Sequence, residues 1–327
     1  MRSQARAFTL VELMVALTIG LLVAGVIATM FASNARTYAF TSSVGDLQDA
    51  GRVAFETLQR DLRAAGYRGC DSSGRADAPA LQWLARAAAA DTAQRAAGTD
   101  APAARGDAIP LRAWSGADAD SLELLAPFGD AFALAQPMAD PAAALRVADA
   151  RGAAAGDLLL ISDCSAAALF RATPAGAGEL GHDLRANHAA ALPRAFGSDA
   201  LLTRMEWRRY FVAPYGAGAD RERALWRETS GHPPQLVARH VQALRVQLGI
   251  DTDGDGAPNR FVRPGEMQAA DWPRLAAVQV GLLLRGAAAR GGRAAVYVFD
   301  GQAVTPTDGR MYRVISATVP LWNRGMS

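Results

Sequence analysis

Lysine is absent from the chain, so all 34 basic residues are arginine. Set against 32 acidic residues they leave a formal charge of +2. That is too close to balance for the electrostatic footprint of a nucleic-acid-binding surface, and no nucleic-acid partner is expected. Cysteine is almost absent too: Cys70 and Cys164 are the whole supply, which excludes a four-cysteine zinc site or a densely cross-linked scaffold. Of the four histidines, neither His182 with His188 nor His232 with His240 has a zinc-site spacing. Gly-x-Ser-x-Gly elbows, phosphate-binding loops and dinucleotide fingerprints are missing as well, so no motif recommends an enzyme. What is plentiful is apolar surface: half of the 327 residues are hydrophobic, enough to build one large core.

Charge is also scarce locally. Between Ala7 and Ala35 the only charged residue is Glu12. Phe8 to Ala32 is an apolar run long enough to span a hydrocarbon layer of about 30 Å as a helix. Arg2 and Arg6 precede it and the bulk of the chain follows, which predicts an N-inside, C-outside orientation; in a bacterium that is a single pass through the inner membrane with the remainder periplasmic. A secretory signal peptide would have a shorter apolar core and a small-residue cleavage site after it. Nor would it carry a carboxylate five residues into the run; an acid within a membrane helix is costly and marks function by default.

The apolar pattern continues past the membrane. Phe40, Val44, Leu47, Gly51, Ala54, Leu58, Leu62 and Ala65 recur at steps of three and four, one face of a helix. Gly66 is a natural stop. A single helix from Phe8 to Ala65 would be about 87 Å long; a pair broken near Ser33 and Asn34 is the alternative. Short apolar or alternating runs follow at 122–125, 158–162, 205–212, 224–227, 236–250, 276–284, 294–299 and 312–319. Ala-rich stretches at 85–106, 139–156 and 174–197 read as exposed loops or short surface helices. One long helix and then strands is an α+β pattern, with the helix packed on a mainly antiparallel sheet.

Ala7-Phe8-Thr9-Leu10-Val11-Glu12-Leu13 resembles the prepilin cleavage and methylation signal of type IV pilins and type II secretion pseudopilins. The resemblance implies a leader at 1–7, cut by the prepilin peptidase between Ala7 and Phe8, with Phe8 then N-methylated. Ala7 stands where that family usually has glycine. It further implies a transmembrane helix half at 8–32, an amphipathic half at 33–68 and a head at 69–327. The head narrows the likeness. Ala65-Gly66-Tyr67-Arg68-Gly69-Cys70, Arg209-Tyr210-Phe211-Val212, Ala224-Leu225-Trp226-Arg227, 249–256 and Arg313 to Val319 are similar to segments of the type IV pilus assembly protein W family of minor pilins. The closing Trp322-Asn323-Arg324 is a partial match. A minor pilin of that kind joins other minor pilins and the major pilin in an initiating complex at the filament tip. A minor pseudopilin of type II secretion, or a single-pass membrane sensor or enzyme, are the competing readings.

Three groups are candidate sites. Glu12 can pair with the terminal amine of a neighbouring Phe8 in a packed helical bundle and set subunit register, or it can snorkel to the headgroups. Cys70 and Cys164 suit one disulfide in an exported head, where closing so long a loop contributes about 4–5 kcal/mol in the chain-entropy model; two buried thiols are the alternative. Asp251, Asp253 and Asp255 with Gly256 at the sixth position and Asn259 at the ninth match the start of a calcium loop, although Val262 stands at the twelfth position in place of a glutamate. A solvated Asp–Gly hairpin turn satisfies the same residues.

Overall fold

The computed structural model describes residues 9–69, 81–86, 110–147, 153–216, 222–230, 232–288, 295–321 and 323. Helix α1 runs unbroken over Leu10–Ala64, so the break at Ser33 and Asn34 does not occur. Its polar side chains fit the helix because they bond backward along it. The Thr29 hydroxyl donates to the Val26 carbonyl at 2.8 Å, and Thr37 donates to the Ser33 carbonyl at 3.1 Å. The helix stops where the sequence says it should: Gly66 takes φ +76°, a conformation that only glycine enters freely. An added Cβ there would meet the Asn323 carbonyl at 2.8 Å. Asn323 closes the helix end from the other direction, its Nδ2 donating to the carbonyls of Arg63 and Ala65 at 3.2 and 3.1 Å. Trp322 and Arg324 lie outside the described residues.

Among the described residues, seventeen strands follow. In chain order they are β1 Leu81–Trp83, β2 Leu111–Trp114, β3 Ser121–Ala133, β4 Leu145–Arg146, β5 Leu158–Ser162 and β6 Ala167–Arg171. Next come β7 Thr173–Pro174, β8 Glu179–Gly181, β9 Leu201–Tyr215, β10 Glu222–Thr229, β11 Gln235–Arg239 and β12 Val241–Ile250. The last are β13 Arg260–Val262, β14 Leu275–Ala288, β15 Tyr297–Phe299, β16 Gln302–Val304 and β17 Arg310–Pro320. An eight-stranded sheet is organised around β9, which pairs with β3, β5 and β10; a four-stranded sheet has the order β13-β12-β14-β17. Pairing is antiparallel throughout except between β1 and β6.

The alternating run at 236–250 is not one strand. His240 sits at φ +66° and divides it. β11 finishes the large sheet, and β12 opens the second one. Hydrophobic alternation reads across that corner because both strands bury one face. The hairpin of β15 and β16 lies on the second sheet, with Tyr297 stacked on Tyr312 at 5.0 Å between ring centroids. At its tip Asp300 accepts from Arg245 at 3.2 Å and also from Arg263.

Helix α1 presents Leu47, Gly51, Ala54, Leu58, Leu62 and Ala65 to the core between the two sheets. Phe40 belongs to the same periodic series but is 52% exposed, because the head first covers the helix around Ser43. Toward the N-terminus, every helical side chain described from Leu10 to Thr41 is exposed. The stretch at 174–197 is no surface loop. It folds Leu180, Leu192 and Phe196 into a second cluster around Phe170. Buried Asn187 bonds the Arg171 main chain on both sides, at 2.7 and 2.9 Å. Sparse large side chains among alanines anchored that segment, and average composition concealed them. Leu145 and Val147 do the same for the preceding Ala-rich stretch, and most of the stretch at 85–106 lies outside the described residues.

Candidate functional site

The apolar start of α1 exposes one carboxylate. Ala7 and Phe8 lie outside the described residues. Thr9 is the N-cap: its Oγ1 accepts from the Glu12 main-chain N–H at 3.2 Å, and the Glu12 carboxylate accepts from the Thr9 N–H at 3.4 Å. This reciprocal capping box satisfies two of the N–H groups that a helix start leaves open. Glu12 is exposed along with the helix around it. Thr9 was not identified from the sequence, although Thr-x-x-Glu before an apolar run is the signal that announces it. The segment is long and apolar enough to cross a membrane.

At the other end of α1 a second acid is buried. Asp61, 3% exposed, lies among the aliphatic residues of the helix face. Arg208 Nη1 donates to its Oδ1 at 2.7 Å, and the Tyr210 hydroxyl donates to its Oδ2. Arg208 Nη2 reaches on to the Pro127 carbonyl at 3.1 Å. The last turn of the helix is thereby bonded to β9 and β3. Burial, and then the neighbouring Asp61 carboxylate, hold the Tyr210 phenol far above its ordinary range, so it stays a donor. The sequence contained a hint: Asp61 follows Leu58 by three residues and falls on the periodic apolar face, where a charge demands a partner.

Cys164 is in a disulfide and sits exposed in the turn between β5 and β6. Cys70 lies outside the described residues. Its neighbour Gly69, at φ +88°, packs so closely on Ser162 that a Cβ would come within 1.7 Å of the serine Oγ. The chain leaving the helix is thus brought within two residues of Cys164.

The acidic loop joins β12 to β13 as a hairpin, with Ile250 paired to Arg260. Carboxylate oxygens of Asp251, Asp253 and Asp255 lie within 4.8 Å of one another. Asp251 accepts from the main-chain N–H of Gly254 at 2.6 Å and of Gly256 at 2.8 Å. The Asn259 side-chain oxygen accepts from the Thr252 N–H and hydroxyl at 3.0 and 2.8 Å, so the ninth-position oxygen is engaged within the turn. Val262 pairs with Leu248 in the sheet. No side-chain ligand comes from the twelfth position, which leaves the three carboxylates as the donor set. Among the described residues, the histidines are not part of that acidic group. His182 is buried, with Nε2 3.0 Å from the Ala143 carbonyl.

Residues 209–323 match the family described as Type IV Pilus-assembly protein W, and residues 2–28 match the Prokaryotic N-terminal methylation motif. The first match runs from the middle of β9 through β17 to Asn323; the second covers the capped start of α1. No curated protein and no solved structure matches the chain. Both matched families are structural rather than enzymatic. A methylation motif heading an exposed apolar helix, and a pilus-assembly signature in the head that packs on it, together support a type IV pilus-related, pilin-like protein.

Proposed function

We propose that the chain is a minor pilin of the type IV pilus, built with other minor pilins and the major pilin into the initiating complex at the filament tip. It is made as a prepilin and inserted once in the inner membrane, with its head in the periplasm. The prepilin peptidase cuts it between Ala7 and Phe8, and Phe8 is methylated. One observation supports this reading most: a helix of 55 residues is buried against a head over its last third and exposed over an apolar first half that begins with a capped carboxylate. Such a helix has no use for that half in a lone soluble domain; a membrane or a bundle of like helices covers it.

Intact mass of the membrane-extracted protein tests the processing. The mature chain is expected to begin at N-methylated Phe8, having lost Arg2 and Arg6 with the leader. Ala7→Gly should be processed at least as completely, because the smaller residue passes the peptidase more easily. Ala7→Leu should retain the leader. A mature N-terminus elsewhere than Phe8 sinks the reading.

Two further assignments belong to the head. The Cys164 disulfide is made with Cys70, tying the segment after α1 to the β5–β6 turn. The Asp251–Asp253–Asp255 group binds calcium weakly, since affinity follows the number of charged ligands and here the bidentate glutamate is lacking. Calcium at about tenfold over its Kd should stabilise the detergent-solubilised full chain by ~1.4 kcal/mol. That is a rise in melting temperature of roughly 3–6 °C. Asp253→Ala with Asp255→Ala should abolish the rise. Absence of any rise at millimolar calcium in the parent would reduce the loop to an Asp–Gly turn.

A further inference from the structure

We infer that Asp61, held by Arg208 and Tyr210, is a register lock: it fixes the axial position and rotation of α1 against the head, and so decides which way the head faces when the helix is packed among others. The consequence for packing rests on the pilin reading above; the lock itself does not.

The rest of the buried helix face cannot supply this information well. Leu47, Gly51, Ala54, Leu58, Leu62 and Ala65 form a ridge of small and aliphatic residues at steps of three and four. Moving such a ridge by one turn, about 5.4 Å, puts Leu58 where Leu62 was and leaves apolar side chains against apolar side chains. Steric keys help only partly. A Cβ on Gly51 would come within 2.2 Å of Ile315 Cδ1, but that atom is the far end of a side chain that can turn aside. Asp61 differs in kind. Both of its oxygens are used, by two side chains from one strand, and Arg208 is itself fixed to the Pro127 carbonyl. A shift of one turn would carry the carboxylate away from both donors, stranding a buried charge and leaving Arg208 with only the Pro127 carbonyl and the Tyr210 hydroxyl without the acceptor it now has.

Its position argues against a purely stabilising role. Asp61 lies in the last turn of α1, where the helix dipole disfavours an acid, and it is buried, where a well-packed apolar residue would serve stability as well or better. Buried ionic groups that specify register rather than add stability are the best-attested reason for keeping such an arrangement.

The test replaces the whole cluster with apolar residues in the full chain: Asp61→Leu, Arg208→Met and Tyr210→Phe together. Spin labels at the exposed positions Arg60 on the helix and Val298 on the β15–β16 hairpin report the distance between helix and head in detergent. The parent should give one narrow distance. The apolar variant should melt no lower than the parent, yet give a broadened or split distribution, with a component displaced by about one turn, ~5 Å. Its recovery with partner pilins should fall at least tenfold. A single parent-like distance in a variant of parent-like stability would overturn the lock. Should the triple variant not fold, Tyr210→Phe alone, which deletes one of the two bonds to Asp61, should broaden the same distribution; a width equal to the parent's would overturn it too. A parent that showed the narrow distance but never associated with other pilins would instead sink the pilin reading and leave the lock standing.

Discussion

Glu12→Ala should insert in the membrane and be cleaved normally, yet fail to join other pilins. Insertion asks for an apolar helix, and removing a carboxylate makes it more apolar. Cleavage acts between Ala7 and Phe8 and needs no charge four residues on. Docking is different. On the proposed reading, in a bundle of apolar helices the new amine of Phe8 would be a buried positive charge, and the Glu12 carboxylate of a neighbour would be its partner. Deleting one member of a buried pair costs about 3–5 kcal/mol, which lowers an association constant by more than a hundredfold. The capping box makes the prediction more specific. In the lone subunit the Glu12 carboxylate caps its own helix through the Thr9 N–H, a bond worth about 1 kcal/mol to an exposed helix start. It gives this up to reach a neighbour. Glu12→Gln keeps an acceptor for both bonds but not the charge, so its loss should be intermediate. Co-purification with partner pilins from membranes, beside a count of surface pili, reads the outcome. Normal recovery and piliation with Glu12→Ala would mean that the carboxylate only caps or snorkels.

The parts of this molecule that the sequence disclosed are those with a period. The unbroken helix, its stop at Gly66 and its buried series from Leu47 to Ala65 follow from steps of three and four, and the main strands of the second sheet follow from alternation. What stayed hidden depends on contacts distant in sequence. Nothing local marks His240 as the corner between two sheets, because its φ of +66° is imposed by where β11 and β12 must go. Leu180, Leu192 and Phe196 pack into a core although they sit among alanines, since three large side chains suffice when the neighbours are small. At the candidate sites the acidic loop was legible as three carboxylates in a hairpin turn. The engagement of Asn259 by Thr252 was not, because it depends on how the loop folds on itself. Asp61 was the largest omission. Its partners are 147 and 149 positions away along the chain, and a polar residue beside Leu62 is easily read as facing solvent.

Asp61→Ala should lower the stability of the head more than any apolar truncation along the helix. The substitution removes the acceptor for both Arg208 and Tyr210, neither of which can turn to water: the Arg208 side chain is 14% exposed and Tyr210 is fully buried. A guanidinium then lies buried with only the Pro127 carbonyl for company, and a phenol hydroxyl has no acceptor. Breaking a buried ionic pair from one side costs about 3–5 kcal/mol, and the abandoned phenol adds about 1–3 kcal/mol of unsatisfied polar group. Truncating a leucine such as Leu58 falls in the range of about 2–5 kcal/mol. For a head of this size each kcal/mol moves the midpoint by roughly 2–4 °C, so a fall of about 10 °C or more is expected. Asp61→Asn should lose less, since its side-chain oxygen still accepts from one donor while the guanidinium charge goes uncompensated. Arg208→Met in the Asp61→Ala background should recover part of the loss, because it takes away the stranded charge. That recovery separates a charge effect from a cavity effect, which a second truncation would only enlarge. Thermal unfolding of the full chain in detergent, followed by near-ultraviolet circular dichroism, measures all three. A fall of less than about 1 kcal/mol for Asp61→Ala would show that water or a rearranged side chain satisfies the site, and the helix would then be held to the head by apolar packing and the Asn323 cap.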